Sequence, residues 1–149
     1  MKEALLIRER ALNTITLGES HFREFKTAWE GKPNRKKPRL TKKICKDIGE
    51  ALVSFANADG GEILIGVEDD GVVTGIPHRE EDIHAMLAAT KTHVCHGQDL
   101  PMIASTKLIL NGLPVLYFSV NKGTSQIYQL PDGRCVRRKD KSTIPASVN

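Results

Sequence analysis

Two glutamates, Glu19 and Glu24, bracket the start of an extended segment, and Lys26 lies two residues beyond, on the face of Glu24. A third acid, Asp69, stands just past the run Glu62 to Val67 (EILIGV), between Glu68 and Asp70. Three carboxylates converging on a point make a hard, oxygen-rich site of the type that holds Mg²⁺ or Mn²⁺. Such an ion polarises a phosphodiester and activates water, while Lys26 stabilises the charge that builds in the transition state. Spacing alone does not bring the three together. Acids at strand ends are more often solvated or paired with Lys and Arg.

The net charge is +4, and its distribution is uneven. Between Gly31 and Lys46 stand eight basic residues and no acid: Lys32, Arg35, Lys36, Lys37, Arg39, Lys42, Lys43 and Lys46. From Arg134 to Lys141 stand five more, Arg134, Arg137, Arg138, Lys139 and Lys141, against the single Asp140. Together they are thirteen of the 22 basic residues. One such block serves equally as a solvated loop or a surface for acidic lipid. Two in one small domain favour a polyanion, RNA or DNA, gripped by charge neutralisation and counterion release. Arg35, Lys36, Lys37, Arg39, Lys42, Lys43, Arg137, Arg138 and Lys139 are the candidate contacts. Trp29, the only Trp, adjoins the first block; packing against a sheet is its commoner role, stacking on a base the alternative. His21 is either an exposed strand residue or an acid–base group. His93, Cys95 and His96 lack a fourth ligand at zinc-site spacing, so packing and helix capping are the simpler reading.

The elements that must position these residues are read from periodicity. Residues 1–16 form a short amphipathic helix through Leu5, Leu6, Ile7, Ala11 and Leu12, and residues 17–149 form the main domain. His21 to Thr27 alternates as a strand. Gly31 to Arg39, with Pro33 and Pro38, reads as a mobile basic loop. Thr41 is the expected N-cap of a helix whose stripe is Ile44, Ile48, Leu52 and Phe55, ended by Asn57 to Gly61. Three hairpins are expected: 62–67 with 72–76 around Asp69-Asp70-Gly71, 102–110 with 114–120 around Asn111-Gly112, and 125–130 with 134–138 around Pro131-Asp132-Gly133. A second helix spans Glu80 to His93, burying Ile83, Met86, Leu87 and Thr90. The class is α+β: a mixed, mostly antiparallel sheet built from hairpins and packed with two main helices.

With 149 residues, 40% of them hydrophobic, there is material for one core. No apolar run reaches the ~18 residues of a membrane span, and the N-terminus lacks the form of a secretory signal. Cys45, Cys95 and Cys135 are too few and too scattered for a disulfide framework, so a reducing, cytoplasmic setting is expected. No phosphate-binding G-x-x-x-x-G-K-[ST] occurs, and no nucleotide cofactor is expected.

Three stretches resemble a known family. Glu19-Ser20-His21-Phe22-Arg23-Glu24-Phe25-Lys26 resembles its E-S-x-x-x-E-F-K opening. Ser54 to Gly61, running through Ile65-Gly66-Val67 to Asp69-Asp70-Gly71, resembles its A-F-A-N-x-x-G-G-x-x-x-I-G-V-x-D-x-G signature. Val136-Arg137-Arg138, with Pro145-Ala146-Ser147, resembles its closing segment, except that Lys139 replaces the usual Gly. These are marks of the Schlafen-type AlbA-like DNA-binding domain, over roughly residues 16 to 148. The resemblance implies a metal-dependent endonuclease acting on structured RNA such as transfer RNA, with the metal held by Glu19, Glu24 and Asp69. It implies equally a non-catalytic DNA- or RNA-binding module, pairing with itself or fused to a C-terminal ATPase-like or helix-turn-helix segment.

Overall fold

The computed structural model describes residues 2–146. Its elements run α1 (Lys2–Leu17), β1 (Arg23–Lys26), β2 (Trp29–Glu30), β3 (Lys37–Pro38), α2 (Thr41–Ala56), β4 (Gly61–Ile65), α3 (Glu80–Thr92), β5 (Met102–Leu110), β6 (Leu113–Val120), β7 (Val136–Lys139) and β8 (Ser142–Pro145). The main sheet has strand order β1-β4-β6-β5. β1 runs parallel to β4, and the β4–β6 and β5–β6 pairs are antiparallel, so the α+β class read from sequence holds.

Alternation along the central strands supplies two cores. Ile63 and Ile65 of β4, with Leu116, Phe118 and Val120 of β6, pack under α2 and α3. Leu64, Val115 and Tyr117 point to the other face, where Ala11 of α1 and Phe25 of β1 cover them. The helix α2 carries the stripe expected of it, with Ile44, Ile48, Leu52 and Phe55 fully buried. In α1 the apolar residues divide differently from expectation. Ile7, Ala11 and Ile15 face the sheet, whereas Leu5, Leu6 and Leu12 are exposed.

The Asn111-Gly112 hairpin forms as β5–β6, with both turn residues at positive φ, as this turn requires. The other two expected hairpins do not. Both edges of β4 are taken by β1 and β6, so the return segment 72–76 pairs only beyond its end, through a Val67–Val73 bridge flanked by backbone bonds of Glu68 with Val72 and of Gly66 with Thr74 and Gly75. Segment 125–130 forms no strand because the Asn57 side chain takes the backbone N–H and carbonyl of Tyr128. β7 pairs instead with β8, Lys139 opposite Ser142. The segment expected to be an irregular loop closes as the small β2–β3 hairpin, pairing Trp29 with Pro38 and Glu30 with Lys37. Leu40, not Thr41, holds the N-cap position of α2, without a side-chain cap. Among the described residues all three cysteines are free, and no helix is long and apolar enough to cross a membrane. Ser147 of the closing motif lies outside the described residues.

Candidate nucleic-acid interface

After α1 the chain reverses through a tight turn, with Ser20 and Arg23 exchanging backbone hydrogen bonds. That turn folds Glu19 back over β1, where its Oε2 accepts the Phe25 N–H at 3.1 Å. Glu24 points toward α2 and is almost fully buried, so its charge needs a partner. The partner is Arg138 of β7. Its Nη1 donates to Glu24 Oε2, and its Nη2 donates to the carbonyls of Ser20 (2.8 Å) and Arg23 (3.1 Å). The guanidinium lies 5.1 Å from the centroid of the Phe55 ring. Lys26 Nζ stands 4.0 Å from the second Glu24 oxygen.

Burial first, then the neighbouring Glu24 carboxyl, holds the Glu19 carboxyl above its usual range. The folded state therefore binds that proton more tightly than the unfolded chain. Its contribution to stability is present below the ordinary carboxyl value of 4.5 and fades as pH rises through the higher folded value. Urea unfolding of wild type and Glu19→Gln, across the acid-to-neutral range, should show the wild type losing relative stability as pH rises. Parallel pH profiles would show that the Glu19 carboxyl is not held above its ordinary range.

Asp69 does not join the pair: it is exposed, in the turn after β4. Among the described residues no group of three or more His, Cys, Asp and Glu side chains is placed to hold a metal ion. A guanidinium already fills the cation position beside Glu24. This arrangement does not fit a three-carboxylate metal centre.

The two basic blocks meet around α2, which packs against β7 and β8. One cavity of about 190 Å³ is lined by Glu24, Lys26, Asp47, Glu50, Arg138 and Lys141. Another of about 190 Å³ is bordered by Lys46 and Arg134. Two candidate phosphate contacts are committed inward. Arg39 donates to the Thr27 carbonyl (2.9 Å) and to Asp47 (2.7 Å), pinning the β2–β3 hairpin to α2, and Arg138 is the buried partner of Glu24. Arg134 pairs with Asp132 and Glu50. The other ten of the thirteen, Arg35, Lys36, Lys37, Lys42, Lys43, Arg137 and Lys139 among them, have no ion pair within the described residues and are exposed.

The Schlafen AlbA_2 family matches this chain over residues 19–147. The chain belongs to that family. Two solved structures share its fold. The DIP2311 protein from Corynebacterium diphtheriae is 16% identical with a TM-score of 0.62, over 85% of this chain and 22% of the other, so the chain spans about a fifth of that protein. The N-terminal domain of a DNA helicase RecG-related protein from Nitrosomonas europaea is 17% identical with a TM-score of 0.56, over 93% of this chain and 91% of the other.

In this Schlafen AlbA_2 domain, α1 lies ahead of the matched span, yet it is firmly attached. Thr14 Oγ1 donates to Glu62 at 2.7 Å, Tyr117 donates its phenol to the other Glu62 oxygen, and Arg10 stands 3.6 Å away. Burial, then the bond to Glu62, drives the Tyr117 phenol far above its usual range, so it stays protonated. Asn57 ends α2 as expected, and its side chain also holds Tyr128 and Val136. His21 is an intramolecular tie, with Nε2 at 2.7 Å from Asp59 and Nδ1 accepting the Asp140 N–H. That bond to His21 is the first cause holding the Asp59 carboxyl below its usual range. The roles of Asp47, Glu50 and Arg138 had no local signal, because each depends on elements far apart in the chain.

Proposed function

We propose that this Schlafen AlbA_2 domain is a nucleic-acid-binding module whose phosphate grip comes from the unpaired cations of the β2–β3 hairpin, the first turns of α2 and the β7–β8 hairpin. One observation carries the reading: ten of thirteen block cations lack an internal carboxylate and are exposed. Cations that only keep a protein soluble are ordinarily interspersed with acids, whereas clustered free ones release counterions on meeting a phosphate backbone. Membership of the family, and the likeness of fold to the N-terminal domain of a DNA helicase RecG-related protein, support the same reading. Glu19 and Glu24 serve here as the internal anion that Arg138 requires.

Reversing charge at Lys36 and Lys37 together should weaken binding to duplex DNA and to structured RNA alike, and should flatten the salt slope by roughly two. Glutamate at Arg137 and Lys139 should act the same way, placing both blocks on one surface. A salt titration unchanged in either variant would reduce that block to a solvated surface. The same incubation with transfer RNA, with Mn²⁺ and with chelator, beside Glu24→Gln, probes cleavage. Metal-dependent cutting that the variant loses would overturn the role given to the carboxyl pair.

A further inference from the structure

Between the β2–β3 hairpin and the turn that follows β4 lies an open groove of about 440 Å³, lined by Trp29, Lys36, Glu68 and Thr74. Most of its lining is apolar, unlike the charged cavity beside Glu24. The Trp29 indole N–H donates to the Thr74 carbonyl at 3.2 Å, and the Thr74 hydroxyl donates to Glu68 Oε2 at 2.6 Å. The ring is therefore held by one edge, half-buried, with its remaining surface on the groove. Fixing the ring beforehand lowers the ordering cost of anything that stacks on it. Lys36 is exposed and unpaired at the rim, and Lys32, Arg35 and Lys37 continue along the same hairpin.

We infer that this groove is a nucleobase subsite for single-stranded nucleic acid. An unpaired base stacks on the Trp29 indole, Lys36 holds a neighbouring phosphate, and Glu68 Oε1 accepts a hydrogen bond from an exocyclic amino group. The chemistry selects the ligand. An apolar aromatic wall bordered by free cations matches a strand that offers bare π-faces and phosphates together. Bases inside a duplex are stacked on each other and offer no such face. A carboxylate at the base edge accepts from the amino group of cytosine and finds no amino group on thymine. The groove volume falls within the range of small-ligand pockets, about 300–1,000 Å³.

The inference rests on the nucleic-acid reading above and narrows it from any polyanion to a strand with unpaired bases. Trp29 is the only tryptophan, so tryptophan fluorescence, excited where the two tyrosines do not absorb, reports on this site alone. The probes are oligo(dC), oligo(dT) and a labelled duplex followed by anisotropy, at one low salt concentration. Saturable quenching of Trp29 by oligo(dC) is expected, with weaker binding of oligo(dT). Trp29→Ala should lower oligo(dC) affinity roughly tenfold or more while leaving duplex affinity unchanged. Trp29→Phe, which keeps an aromatic face, should recover most of the loss and guards against misreading an unfolded variant. Oligo(dC) binding without any change in fluorescence, and equal in wild type and both variants, would overturn the subsite while the duplex signal kept the polyanion reading intact. Absence of binding by every probe would overturn both.

Discussion

Arg138→Met should be among the most damaging single substitutions in the domain, at about 3–5 kcal/mol of unfolding free energy. Methionine keeps much of the volume of the side chain, so the loss is electrostatic rather than a cavity. It would leave the buried Glu24 carboxylate without its guanidinium, and would take from the carbonyls of Ser20 and Arg23 one of the two donors each accepts from. Breaking one side of a buried pair costs far more than replacing both, because the orphaned charge bears the full desolvation penalty. The double variant Glu24→Gln with Arg138→Met should therefore be clearly more stable than Arg138→Met alone. Arg138→Lys should recover little, since an ammonium cannot reach a carboxylate and two carbonyls as a planar fork does. Urea unfolding of the four proteins gives the cycle. Additive losses would mean that Glu24 and Arg138 are not coupled, and the account of the pair would fall with them.

Phe55→Ala should cost a similar amount, about 3–5 kcal/mol, for a different reason. The ring is fully buried in the α2–sheet core and is also the platform beneath the Arg138 guanidinium. Its removal opens a cavity and loosens the support of the ion pair together. The ring is packed so closely that a Cβ added at Gly61 would sit 2.4 Å from Phe55 Cδ1. Gly61→Ala is thus expected to destabilise by overpacking, about 1–3 kcal/mol. Combined with Phe55→Leu, which leaves room, the penalty of the alanine should shrink. Equal penalties in both backgrounds would show that the ring is not what confines Gly61.

The parts of the fold readable in the sequence are those set by neighbours in the chain. The stripe Ile44, Ile48, Leu52 and Phe55 needs only the helical period, and Asn111-Gly112 needs only two residues that tolerate positive φ. Asp69-Asp70-Gly71 carries an equally good local turn signal. What defeats the hairpin there is global: β4 is central, and neither of its edges is open. Arg138 shows the same limit for the site. Within the run Arg137-Arg138-Lys139 the three cations are indistinguishable, but the strand β7 alternates, so Arg137 and Lys139 face solvent while Arg138 faces the core. A strand over 134–138 is expected from the sequence, but alternation alone does not say that Val136 and Arg138 share the inward face. Arg39 is harder, because its partners Thr27 and Asp47 meet only when the β2–β3 hairpin docks on α2.

The distance along the chain between Glu24 and Arg138, 114 residues, also sets an order of events. The β5–β6 hairpin closes through neighbouring residues and α2 through its own turns, so both can form as soon as they exist. The parallel β1–β4 pair needs the α2 crossover first. The guanidinium fork over Ser20, Arg23 and Glu24 can close only after nearly the whole domain is available. A growing chain halted before residue 138 would keep Glu24 hydrated and the segment after α1 open to protease. Resistance of that segment to cleavage, followed through synthesis, would mark the moment at which the domain is complete.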